Sequence, residues 1–286
     1  MTTSTQGWFS GFIGMSIFAG SLPATRIAVA DFDPTFLTCL RASLAGLLAA
    51  LLLWGLRQPR PSRQQLSPLI FSALGVVVGF PLFTALALQH VTSAHCIVFV
   101  GLLPLCTATF AVLRGGERPR WPFWVFSIIG AAFVAGYAAW GQTEVSLIGD
   151  ALMMAAIVAC GMGYAEGASL SRTLGGWQVI CWSLVLSLPV MLPMTLITTP
   201  DTFQNIGTPA WISLAYVSLF SMLLGFVFWY RGLALGGIAT VGQLQLLQPF
   251  IGLALAALLL NESISLTMVW ITLMAVVCVA GAKRFG

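Results

Sequence analysis

Long apolar stretches alternate along the chain with short breaks rich in glycine, proline and aspartate. Ten of these stretches are about 20 residues long, enough to cross the hydrocarbon core of a bilayer as a helix. They run approximately over 7–29, 34–56, 67–89, 93–114, 120–140, 147–170, 175–198, 208–235, 238–260 and 265–284. The breaks carry turn residues: Asp31, Asp33 and Pro34; Pro59 and Pro61; Gly115 and Gly116; Gly175 and Gly176; Pro200 and Asp201; Gly236 and Gly237. The tightest connections, near 91–92 and 236–237, make the helices they join antiparallel neighbours. The pattern predicts an all-α membrane protein with ten transmembrane helices.

Composition narrows the reading further. Only 12 Lys/Arg and 8 Asp/Glu occur in 286 residues, or 7% charged, against roughly 25% in a soluble domain. Hydrophobic residues make up 59%, and the mean hydropathy is +0.97. So few charges cannot coat a soluble protein, which excludes a soluble globular enzyme and a disordered chain. The net charge of +4 forms no basic stripe, so no nucleic-acid partner is expected. About 55 residues remain outside these spans, too few for an added soluble domain. Met1 to Gln6 contain no Lys or Arg, so the first stretch lacks the basic start of a signal peptide and reads as a retained helix. The six cysteines all fall inside apolar stretches. They read as buried small hydrophobes, with no disulfide framework and no metal site.

Charge also sets an expected topology. With the N-terminus in the cytoplasm, Arg57, Arg60, Arg63, Arg114, Arg118, Arg120, Arg172, Arg231, Lys283 and Arg284 share the cytoplasmic side, as the positive-inside rule requires. Asp31, Asp33, Glu144, Asp150, Asp201 and Glu262 fall outside. Arg26 and Arg41 depart from this, lying inside spans near the acidic face. Both termini are therefore expected in the cytoplasm, in an inner (plasma) membrane of bacterial type.

The chain also repeats. Shifted by 145 residues, 88–137 aligns without a gap on 233–282, with ten identities in fifty positions. Pro104 meets Pro249, Glu117 meets Glu262 and Gly136 meets Gly281. Five helices per half is an odd number, so the second half enters the membrane inverted. Residues 1–143 and 144–286 are the expected repeats. Inverted repeats give alternating-access transporters two openings of similar geometry.

Ten helices in two five-helix repeats resemble the EamA-type branch of the drug/metabolite transporter superfamily. Leu246-Leu247-Gln248-Pro249-Phe250, followed by Ala256-Ala257-Leu258-Leu259-Leu260-Asn261-Glu262, is similar to that family's repeat signature, and Leu40-Arg41-Ala42 to its Arg-led second helix. The first helix departs from the pattern: Phe18-Ala19-Gly20-Ser21 stand where a tryptophan and an asparagine are usual. The resemblance implies a secondary transporter of small organic metabolites, with YddG-type amino-acid and aromatic-metabolite exporters as the nearest branch.

Several polar and aromatic positions are candidate substrate contacts. At about 100° per residue, Thr240, Gln245 and Gln248 share one face of the ninth helix, and Gln243 points away to grip a neighbour. The plainer reading makes all four interhelical glue. Trp229 in the eighth helix, Tyr164 in the sixth and Phe83 in the third are candidate aromatic walls; core packing is the alternative. His95, repeat-equivalent to Thr240, is a candidate for substrate contact or proton transfer, against a merely hydrogen-bonded role. Pro23, Pro81, Pro104 and Pro249 lie within spans and are candidate hinges. Gly7 with Gly11, and Gly75 with Gly79, form close-packing stripes. Glu166 is expected to pair with Arg172 or Arg231. For Arg26 and Arg41, pairing with Asp31 or Asp33 is the favoured reading, and capture of a substrate carboxylate the other.

Other classes fit less well. An intramembrane protease needs a serine with a facing histidine, or two mid-span aspartates, and neither arrangement is present. The potassium-filter resemblance of Thr240-Val241-Gly242-Gln243 is incomplete. A lipid or polyprenyl-carrier flippase of the same fold is the stronger rival. With no Walker A motif, transport draws on a gradient or is facilitated, and no cofactor is implied. The expected partners are a small-molecule substrate and the lipid bilayer; monomer and homodimer both remain open.

Overall fold

A computed structural model describes residues 3–140, 146–260 and 266–285. The expectations placed on Glu144, Asn261 and Glu262, and the boundary between 143 and 144, lie outside the described residues. Within them every regular element is helical. Six helical runs are long and apolar enough to cross a membrane: Pro34–Gly55, Arg63–Ala87, Leu147–Leu174, Gly176–Ile197, Thr208–Gly236 and Ile238–Leu259. Shorter apolar helices cover Leu103–Leu113 and Trp121–Phe133.

The first half begins with α1 (Thr3–Ala19) and α2 (Ser21–Ala28), which meet at Gly20. A side chain at Gly20 would lie 2.5 Å from the Tyr216 hydroxyl, and that hydroxyl donates to the Ile17 carbonyl at 2.6 Å. The break thus leaves a last-turn carbonyl that a partner helix satisfies. Next, α3 (Pro34–Gly55) starts on a proline, with Asp33 capping the N–H groups of Thr35 and Phe36. A long run follows, made of α4 (Arg63–Ser72), a π-helical segment (Ala73–Gly79) and α5 (Phe80–Ala87). The half ends with α6 (Ser93–Val100), α7 (Leu103–Leu113) and α8 (Trp121–Trp140).

The second half opens on α9 (Leu147–Leu174) and α10 (Gly176–Ile197). Another long run joins α11 (Thr208–Ala215), a π-helical segment (Tyr216–Leu224) and α12 (Gly225–Gly236). Then come α13 (Ile238–Gly242), a 3₁₀ segment (Gln243–Leu247), α14 (Gln248–Leu260) and α15 (Leu266–Phe285). The starts of α4, α5, α6 and α7 recur 145 residues later as the starts of α11, α12, α13 and α14. Even the irregularities recur: a π segment precedes both α5 and α12, and an interruption precedes both α7 and α14.

Packing follows the same relation. Helix α1 lies on α12, and the α4–α5 run lies on α9; α3 packs on α10, and α8 on α15. Exchanging the halves turns the first pairing into the second and returns the other two to themselves. Glycines allow the closest approaches. A Cβ at Gly14 would come within 2.8 Å of the Trp229 backbone nitrogen, and one at Gly75 within 2.4 Å of the Ala159 carbonyl oxygen.

The four hinge candidates share a placement that the apolar pattern hides. Pro23, Pro81, Pro104 and Pro249 each sit in the first turn of a helix that resumes after an interruption. There the missing N–H falls where the regular α-helical ladder is already interrupted. The irregularity precedes each proline and is not centred on it.

Candidate functional site

A narrow cavity of about 20 Å³, partly open to solvent, lies between the halves. Helices α1, α2, α3, α5, α7, α9, α12 and α14 contribute to it, together with both π segments. Its polar lining includes Ser21, Thr25, Arg41, Thr84, Ser221 and Gln248. Phe18, Phe80, Tyr164 and Phe226 supply the aromatic surface.

The interruptions place these groups. Ser21 is the first residue after the α1–α2 break, and its hydroxyl meets that of Ser221, in the second π segment, at 2.7 Å. Val76 comes from the first π segment, while Phe80 and Pro81 open α5 directly after it. Gln248 opens α14 just after the 3₁₀ turn. Thr84 turns its hydroxyl back to the carbonyls of Phe80 and Pro81, so its donor is already used.

The glutamines separate differently from the uniform-helix expectation. Gln248 lines the cavity, and its Oε1 has no hydrogen-bond partner among the described residues. Gln245 is fully buried and sits behind that wall, near the Tyr164 hydroxyl. Thr240 does not line the cavity; it lies in the short α13, beside Gly237. Gln243 is fully buried, and among the described residues neither amide atom finds a partner, so the expected grip on a neighbour is absent. The physical reason is the 3₁₀ turn, whose roughly 120° per residue re-aims every side chain after it.

The aromatic candidates also divide. Tyr164 lines the cavity. Trp229 is fully buried and packs behind the wall, 6.1 Å from the Phe18 ring and 5.5 Å from Tyr164, centroid to centroid. Phe83 is half-buried outside the lining; its neighbour one turn back, Phe80, takes the place expected of it. Phe18 and Phe226, 4.9 Å apart, complete the wall.

Charged groups tie helix ends on either side of the cavity. His95 Nε2 lies 2.6 Å from Asp150 Oδ1, joining α6 to the start of α9. His95 is buried and does not line the cavity. At the other end of α9, Glu166 pairs with Arg114 at 2.5 Å, which corrects the expected pairing with Arg172 or Arg231. Arg172 instead holds Glu117 at 2.7 Å. Both Glu117 oxygens accept backbone N–H groups at the start of α13, from Ile238 and Ala239, at 2.8 Å each. That anion sits where a helix N-terminus favours it.

The two intramembrane arginines are placed otherwise than the favoured reading held. Arg26 donates to the Leu88 carbonyl. Arg41 donates through Nη2 to the Val217 carbonyl at 3.1 Å. Asp33 is occupied as a helix cap, and Asp31 accepts the Gly207 N–H at 2.9 Å. Asp33 precedes Arg41 by two helical turns, about 12 Å along the axis, so the pair never share a depth.

Helices long and apolar enough to span a bilayer, wrapped around a polar and aromatic cavity, define a membrane transporter. The EamA-like transporter family matches residues 5–138 and again 147–282, and this chain belongs to that family. It is 62% identical over 285 residues to the uncharacterized transporter YdeK of Bacillus subtilis (strain 168), covering 100% of this chain and 99% of that one. It is 23% identical over 248 residues to a probable terminal-alkyne amino-acid exporter of Streptantibioticus cattleyicolor, covering 86% and 82%. A solved crystal structure shares the fold with a TM-score of 0.74 at 16% identity, over 98% of this chain and 99% of that one.

Proposed function

We propose that this transporter exports small organic metabolites, amino acids with aromatic side chains among them, by alternating access through the central cavity. In this reading ten helical segments cross the membrane in two inverted halves, and both termini lie in the cytoplasm beneath an inner (plasma) membrane of bacterial type. The observation that carries the reading is the cavity's mixed lining. Ser21, Ser221 and Gln248 offer neutral hydrogen-bond groups, and Phe18, Phe80, Phe226 and Tyr164 offer flat apolar surface. Such walls suit a small zwitterion with a ring. The similarity to an amino-acid exporter supports the same substrate class. The matched registers of the two halves favour two alternative closures of equal design.

The test is efflux from proteoliposomes loaded with a mixture of amino acids and aromatic metabolites. Phenylalanine and tryptophan are expected to leave protein-bearing vesicles faster than empty ones. Retention of every amino acid across all imposed solute and pH gradients would overturn the reading.

A further inference from the structure

Arg41 is the one charged side chain in the cavity lining among the described residues, and its surroundings are unusual for a charge within the membrane. The residue is 5% exposed. The ion pairs among the described residues join His95 to Asp150, Arg114 to Glu166 and Arg172 to Glu117; Arg41 takes part in none of them. One of its five N–H groups is used on the Val217 carbonyl, while its Nε has no partner among the described residues. A buried guanidinium without a counter-charge is costly in lipid. Burial beside a cavity changes the balance if the missing anion arrives with the substrate.

We propose that Arg41 is the anchor for a substrate carboxylate, so that the transported class is carboxylate-bearing organic solutes rather than amines. The inference rests on the exporter reading above and specifies which end of the solute is recognised. The geometry has two parts. Val217 lies in the second π segment, and its carbonyl holds one edge of the guanidinium in place. The remaining N–H groups keep the planar fork that fits a carboxylate in two-point fashion. Gln248, on the same cavity, presents an unpartnered Oε1 that can accept from an ammonium group. Phe80 and Phe226 lie beside the rest of the solute. An α-amino acid satisfies all three; a decarboxylated amine leaves Arg41 unpaired.

The experiment compares three solutes sharing one ring: phenylalanine, 3-phenylpropanoate and phenethylamine. In counterflow with labelled phenylalanine, 3-phenylpropanoate is expected to compete and phenethylamine to compete at least about tenfold more weakly. Arg41→Gln should erase that preference, and Arg41→Lys should retain it at reduced rate. An unchanged acid-over-amine ratio in Arg41→Gln, at wild-type melting temperature, would overturn the proposal. Should Arg41→Gln fail to fold, the wild-type comparison decides alone: equal competition by the amine and the acid refutes the anchor. If wild-type protein moves no amino acid, the exporter reading fails separately. The anchor is then judged by melting temperature, where stabilisation by 3-phenylpropanoate but not phenethylamine supports it and equal or absent stabilisation refutes it.

Discussion

Glu117 and Ile238 belong to different halves of the chain, yet the carboxylate of one accepts the backbone N–H of the other at 2.8 Å. The Ala239 N–H takes the second oxygen, and Arg172 closes the group from α9. A turn of the first half thereby caps a helix of the second. Glu117→Ala should lower stability by about 1–2 kcal/mol, the usual worth of a helix cap; the half-exposed ion pair adds little. Glu117→Gln keeps one acceptor and should lose less. Melting curves in detergent check this, and equal losses for the two variants would count against the cap.

Trp229 calls for a different expectation from that of a cavity wall. It lies behind the rings of Phe18 and Tyr164 with no exposed surface. Trp229→Ala should therefore cost roughly 3–5 kcal/mol of stability and lower efflux of phenylalanine and threonine in the same proportion. Phe80→Ala, altering the lining itself, should reduce phenylalanine efflux more than threonine efflux. Initial rates normalised to folded protein make the comparison. A selectivity change in the Trp229 variant alone would reverse the assignment.

Gln243 is buried with neither end of its amide paired among the described residues. Leaving a polar group unsatisfied costs on the order of 1–3 kcal/mol, so removing it should help. Gln243→Met, close in volume, is expected to raise the melting temperature and preserve efflux. Gln248→Leu should impair efflux with little change in melting. If Gln243→Met abolishes transport while remaining folded, that amide serves the substrate path after all.

Gly75 and Gly136 provide a matched contrast in packing. A Cβ at Gly75 meets backbone atoms of both Ala159 and Gly163 within 2.8 Å, while one at Gly136 meets nothing within 4 Å among the described residues. Gly75→Ala should cost about 1–3 kcal/mol by forcing α9 away, and Gly136→Ala should be neutral or stabilising. Thermal denaturation of the two variants side by side is the measurement; a Gly75→Ala protein as stable as wild type would show that the helices do not meet as described.

Orientation is open to chemical labelling. Gln64 and Thr202 are both exposed, and the charge distribution puts them on opposite faces. On a background with the half-buried Cys106 changed to serine, Gln64→Cys should react only from the cytoplasm and Thr202→Cys only from outside. Reaction of both from one side would contradict the crossing count.

The helical runs were legible because apolar length alone marks them, and the 145-residue register because Pro104 and Pro249 hold it. The site was legible only in part. Gln248, Tyr164 and Pro81, which line the cavity, were visible as polar or rigid residues in apolar surroundings. The division of Gln245 from Gln248 was not, because it depends on a 3₁₀ turn at Gln243–Leu247, and a polar pattern does not record the local pitch. Arg41 was assigned to the nearest acids in the chain. Proximity in sequence ignores that Asp33 is consumed as a cap and lies two turns higher along α3. Phe18 and Phe226 stand among 19 phenylalanines, and an aromatic run does not show which of its rings faces the cavity.

The equal helix starts in the two halves also carry a history. A π-helical turn accommodates one residue more than an α-helix would. A residue gained by one half alone would have displaced every later start in that half by one position. From α4 to α7, and from α11 to α14, no such displacement exists. The simplest descent is from one half-length ancestor that already possessed the extra residue, before duplication and fusion joined two copies.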